Sequence, residues 1–177
     1  MGGGAVAAPR RGSRALTGLV VVVLLLAAVR VFVLVPLRIE TGSMAPTLTA
    51  GEHVLAVQVT RWGGHWRRDD VVAFRPSGHG ALLVKRIVAL AGDRVEIRDG
   101  RLAVNGVRVR EPWTDPARID SVYFGPVRVP PGHVFVLGDD RAGSRDSRVF
   151  GAVPISALTA RVALVLWPFP PTRAGLP

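Results

Sequence analysis

Residues Ala15 to Val35, ALTGLVVVVLLLAAVRVFVLV, form an apolar run of 21 residues broken by one charge, Arg30. A helix that crosses a bilayer needs about 20 such residues, so the run is long enough to span. Arg30 lies near its far end, where a long side chain can reach the interface, and Pro36 closes the run. Arg10, Arg11 and Arg14 precede it, which places the N-terminus in the cytoplasm and the rest of the chain outside. A cleaved secretory signal is the competing reading. The apolar core is long for that, and VRVFVLVPLRIE offers no small-x-small cleavage site, so a retained anchor is expected. Residues 1–14, rich in Gly, Ala, Pro and Arg, are expected to be disordered. The layout is thus a cytoplasmic segment 1–14, an anchor 15–36 and an extracytoplasmic domain 37–177. A second span is not expected, because ARVALVLWPF is too short and reads as a strand.

The remaining length suits one globular domain. There is no cysteine, which rules out disulfides, thiol catalysis and cysteine-based zinc sites. The net charge of +10 fits an anionic surface, but the later charges are scattered through apparent strands, and few aromatics interleave with the arginines. Attraction to lipid headgroups therefore explains the charge better than nucleic acid does. Among 23 basic residues 22 are arginine, and the one lysine is Lys85.

From about residue 50 the pattern is short β-branched runs divided by turn residues. They are HVLAVQV (53–59), DVVAF (70–74), ALLVKRIVAL (81–90), RVEI (94–97), RLAV (101–104), VRVR (107–110), VYF (122–124), VRV (127–129) and HVFVLG (133–138). Asp99-Gly100 and Asn105-Gly106 are two-residue hairpin signals, since both residues of each pair tolerate positive φ. PISALTARVALVLWP reads as one helical turn followed by a strand, while RWGGHWRRDD and RPSGHGAL read as exposed loops. The domain is expected to be mainly antiparallel β.

Three stretches carry candidate chemistry. Ser43, in RIETGSMAPTL, lies eight residues past Val35, within roughly 30 Å of the membrane exit at about 3.6 Å per extended residue. Gly42 would allow close backbone approach and Pro46 would fix a turn. The same composition equally fits a plain juxtamembrane linker. Lys85 sits in the apolar run LVKRIVALAGD. Buried there, it would lose proton affinity and could take a proton from a serine hydroxyl; pointing to solvent, it would be an ordinary surface residue. Alternation does not decide between the two. LGDDRAGSRDSRVFG is dense in Asp and Arg, without calcium-loop spacing. It reads either as a solvated charged turn or as a paired network that carries a hydroxyl toward the lysine.

TGSMAPTL, RDDVVAF, LVKRIVALAGD and GDDRAGSRDSRVFG, in this order behind an N-terminal anchor, closely resemble bacterial type I signal peptidases, with actinobacterial compositional character. The resemblance covers nearly the whole chain after residue 30. It implies an antiparallel β-sheet signal-peptidase-like fold with one N-terminal transmembrane helix, and a reduced accessory β-region at about 94–132. By position it makes Ser43 the nucleophile and Lys85 the general base, with the Ser43 N–H and the Thr41 hydroxyl as oxyanion hole. Ser144 would orient the lysine, Asp146 and Arg148 would form the supporting ion pair, and Asp139 and Arg141 would shape that loop. Ile39, Met44, Leu48, Leu83 and Val84 would line shallow pockets for the small residues of an Ala-x-Ala site. The implied activity is endoproteolytic removal of signal peptides at the plasma membrane without a cofactor or metal. Its partners would be secreted preproteins, membrane lipid and the export machinery, with no nucleic acid.

Four positions depart from the family pattern: Glu40 for a frequent Pro, Asp69 for Gly, Ala91 for Pro and Asp140 for Asn. None removes a proposed catalytic group. Among rivals, a Ser-His-Asp hydrolase lacks a Gly-x-Ser-x-Gly elbow. His53, His65, His79 and His133 show neither ligand spacing nor an HExxH. A self-cleaving peptidase on a related fold and an inactive anchored binding module remain as alternatives, and both proposed catalytic groups favour an enzyme.

Overall fold

Among the described residues eleven strands build the domain, some alternating buried with more exposed residues and others buried along most of their length. The computed structural model describes residues 16–25, 34–58, 65–76, 80–119 and 122–167. The expected disordered segment 1–14, Arg30 and His79 lie outside these residues. Residues 16–25 are helical, with exposed apolar side chains from Leu16 to Leu25. Among the described residues no helix is long and apolar enough to cross a membrane, and residues 26–33 of the expected anchor lie outside them. Its last residues differ from expectation: Leu34, Val35 and Pro36 belong to strand β1, Leu34–Arg38.

The other strands are β2 His53–Val57, β3 Val71–Phe74, β4 Leu83–Leu90, β5 Arg94–Arg98, β6 Arg101–Val104, β7 Val107–Arg108, β8 Phe124–Arg128, β9 His133–Leu137, β10 Val153–Pro154 and β11 Leu158–Trp167. Two sheets result, a seven-stranded one in the order β1-β2-β11-β3-β4-β9-β10 and a four-stranded one in the order β7-β6-β5-β8. Every strand-to-strand register recorded in them is antiparallel. The two expected hairpin turns form with positive φ at Asp99 (50°), Gly100 (71°), Asn105 (55°) and Gly106 (79°). PISALTARVALVLWP forms a 3-10 turn, Ile155–Ala157, and then β11. VRVR keeps only two strand residues and VYF only Phe124.

The small sheet docks on the large one through a shared apolar cluster. Val95, Ile97, Leu102 and Val104 of β5 and β6 meet Val88, Ala89, Phe135 and Leu137 of β4 and β9. Strand β4 is therefore buried on both faces from Lys85 to Ala89, which explains a near-continuous apolar run instead of clean alternation. A second cluster, with Ile39, Met44, Leu48, Val54, Val71 and Val162, packs beneath the segment that carries Ser43.

Candidate active site

Ser43 lies in a 3-10 turn, Gly42–Met44, preceded by Thr41 in extended conformation. Met44 and Leu48, both fully buried, hold this turn down into the core. Lys85 stands mid-strand in β4, opposite Val72 of β3, and is 3% exposed. Its Nζ is 2.5 Å from Ser43 Oγ. Lys85 thus points inward, the orientation that alternation left undecided. Burial pushes its proton affinity below that of an ordinary lysine, and the charges of Asp146 and Asp139 only partly oppose the shift. The Thr41 hydroxyl lies 3.2 Å from Ser43 Oγ. A Cβ at Gly42 would meet no atom of the chain itself within 4 Å. The close approach occurs at Gly138, where a Cβ would fall 2.6 Å from the Ser43 carbonyl oxygen and 2.2 Å from Ser144 Oγ.

Residues 138–148 form a strap against the dyad. The Asp140 N–H donates to the Ser43 carbonyl at 3.2 Å. Asp146, wholly buried, accepts from the Gly138 N–H at 3.0 Å and from Arg148 Nε at 2.8 Å. It also caps the helical turn Ser147–Phe150 by accepting from the Arg148 N–H. Arg148 donates onward to the Arg141 carbonyl at 2.8 Å, and Arg141 Nε donates to the Gly138 carbonyl at 3.1 Å. Asp146, Arg148 and Arg141 are thus one network. The Ser144 hydroxyl is buried against Gly138 and has no hydrogen-bond partner among the described residues, Lys85 included.

A cleft of about 510 Å³ opens beside the dyad, lined by Pro36–Thr41, Ser43, Met44, Arg75 and Gly80–Lys85. Ile39, Met44, Leu83 and Val84 lie on it. Leu48 does not: it is fully buried in the cluster behind the turn, so its contribution is to hold Met44 and Ile39 in place. Both long walls are strand edges. β1 is an outer strand of its sheet, while Leu83, Val84 and Lys85 pair with β3 but not with β9, whose register with β4 begins at Arg86.

Arg86 follows Lys85 directly in the same apolar run. It is 1% exposed and gives Asp139 two hydrogen bonds, Nε to Oδ1 at 2.9 Å and Nη2 to Oδ2 at 2.7 Å. It also donates to the Asp69 carbonyl at 2.9 Å and lies 4.2 Å over the Trp113 ring. Thr47 completes the group with a 2.5 Å bond to Asp139. Neighbouring strand residues project oppositely, so β4 offers Lys85 to the cleft and Arg86 to this buried network. An arginine inside an apolar run was the available signal.

Two departures now have physical partners. Asp69 has φ 74°, a left-handed backbone that explains the usual Gly. Asp140 accepts two bonds from Arg118, at 3.0 and 2.7 Å, which hold its carboxyl below the ordinary range. Glu40 is exposed and lines the cleft.

The profile of the family described as signal peptidase, peptidase S26, matches residues 13–167. The chain is 36% identical over 161 residues to a signal peptidase I of Bacillus caldolyticus, covering 84% of this chain and 88% of that one. It is 31% identical to a signal peptidase I of Mycobacterium tuberculosis, over 89% of this chain and 72% of that one. A crystal structure of a signal peptidase I from Enterococcus faecalis superposes with a TM-score of 0.50 at 30% identity, covering 56% of this chain and 98% of the other. With a buried serine–lysine pair at the end of an open cleft and a family match across most of its length, the chain belongs to the signal peptidases of the S26 family.

Proposed function

We propose that the chain is a membrane-bound serine endopeptidase that removes signal peptides from exported preproteins after small residues, with Ser43 as nucleophile and Lys85 as general base. The observation that carries this reading is the 2.5 Å contact between Ser43 Oγ and a desolvated Lys85 Nζ. Neutral Lys85 accepts the hydroxyl proton as Ser43 Oγ attacks the scissile carbonyl. Negative charge on that carbonyl oxygen is met by the Ser43 N–H and the Thr41 hydroxyl. Protonated Lys85 then gives its proton to the leaving amine, and water repeats the sequence on the acyl-enzyme. Asp146, Arg148, Asp139 and Arg141 hold the strap, and Ser144 lies beside it as a hydroxyl with unused bonding capacity.

The preprotein enters as an extended strand between the free edges of β1 and the start of β4, where main-chain bonds provide register. Ile39, Met44, Leu83 and Val84 leave room for small side chains, consistent with an Ala-x-Ala site. The apolar segment that begins at Ala15 and ends before β1 supplies the plasma-membrane anchor, with the N-terminus cytoplasmic and the peptidase domain extracytoplasmic. Lipid and the export machinery are its expected neighbours. The test is cleavage of a preprotein bearing an Ala-x-Ala site by the full chain in detergent. Cleavage at that site, with Ser43→Ala and Lys85→Ala each slower by 10³-fold or more (about 4 kcal/mol of barrier), supports the reading. No cleavage, or either variant at the unmodified rate, overturns it.

A further inference from the structure

Between β7 and β8 the chain runs through a segment, 111–119, without regular structure, yet three of its side chains converge on three successive residues or their partner. The Trp113 ring lies 4.2 Å from Arg86, which holds Asp139 through two bonds. Arg118 holds Asp140 through two bonds, and its carbonyl accepts from the Ala142 N–H at 3.2 Å. Glu111 pairs with Arg141, both side chains being buried. On their other side the same residues reach the dyad. The Asp140 N–H holds the Ser43 carbonyl, Asp139 holds Thr47, and Arg141 holds Gly138, whose N–H in turn holds Asp146.

Docking of the small sheet does not need these polar contacts, because the shared apolar cluster already provides it. A buried ion pair is weak evidence for stability, and an exposed arginine such as Arg118 adds little stability by itself. What three convergent contacts do supply is geometry: bidentate and stacked partners fix a strap against sliding. Rates at a preorganised site fall steeply with small displacements of the reacting groups.

Resting on the dyad reading above, we propose that Glu111, Trp113 and Arg118 are positioning residues through which the accessory sheet sets turnover at Ser43. They clamp the strap that holds the nucleophile's carbonyl and touch no substrate. The strands on either side of the segment both belong to that sheet, β7 pairing with β6 and β8 with β5.

The experiment uses the full chain in detergent with Arg118→Gln, Arg118→Lys and the double variant Glu111→Gln/Arg118→Gln. Steady-state cleavage of an Ala-x-Ala preprotein is measured for each, and amide hydrogen exchange is measured in a Ser43→Ala background. The expected result is a kcat about threefold lower for Arg118→Gln and about tenfold lower for the double variant. KM should stay within about twofold, and Arg118→Lys should recover most of the loss. Exchange should quicken across residues 138–146 while β2, β3 and β11 keep their protection. A change in KM alone, an unaltered kcat in the double variant, or unchanged exchange at 138–146 overturns the clasp. The exchange arm needs no activity, so a chain that never cleaves overturns the dyad reading and leaves the clasp to be judged by exchange.

Discussion

Gly138 shows how tightly single residues define this site. Its backbone passes so close to Ser43 and Ser144 that a methyl group would sit 2.6 Å from the Ser43 carbonyl oxygen. Gly138→Ala must therefore displace either the strap or the turn that carries Ser43. We expect cleavage to fall about 10²-fold or more, the scale associated with a misplacement of about 1 Å. Kinetics of the purified variant check this, and a rate within threefold of the unmodified chain would contradict it. Lys85 shows the opposite constraint, a charge-bearing residue held where charge is disfavoured. Its folded-state affinity for a proton is lowered, so the unfolded chain binds that proton more tightly. Folding is penalised in full below the lowered folded value, and the penalty fades as pH rises from there to the unfolded lysine value, above which it is gone.

At the scale of the element, β4 joins the cleft to the buried network, with Lys85 and Arg86 on adjacent positions. Arg86→Gln would leave Asp139 buried without its counter-charge, a change that costs about 3–5 kcal/mol. Denaturant unfolding of the variant measures it, and a loss below about 1 kcal/mol would contradict the assignment. The strand was legible in the sequence as an apolar run, and its boundary residues nearly so. Its facing was not, because burial on both sides removes the alternation that reveals direction. The same limit hid Arg86, whose partners Asp139, Thr47 and Trp113 lie 53, 39 and 27 positions away in sequence. Turn chemistry was more transparent: Asp99-Gly100 and Asn105-Gly106 need positive φ, and only local backbone geometry decides them. Leu48 was misplaced for a related reason, since position in a motif does not tell whether a side chain lines a cleft or supports the residues that do.

For the whole molecule, the order of motifs and the family match agree on a β-domain behind an apolar segment. The clasp could not be read in advance, because its residues lie in the stretch between motifs, where no sequence pattern announces contact. The apolar segment makes its own prediction. The full chain should stay with the membrane fraction after an alkaline carbonate wash, and release into the soluble fraction would contradict the anchor. The proposed role of Lys85 as a base requires the amine to be neutral. It is tested most directly by kcat/KM against pH for the unmodified chain on an Ala-x-Ala preprotein, with Lys85→Arg alongside. The expected result is activity that rises with pH, with a midpoint below the value of about 10.4 for a free lysine, and no measurable cleavage by the arginine variant. A pH-independent rate, or an arginine variant that cleaves as fast as the unmodified chain, would contradict it.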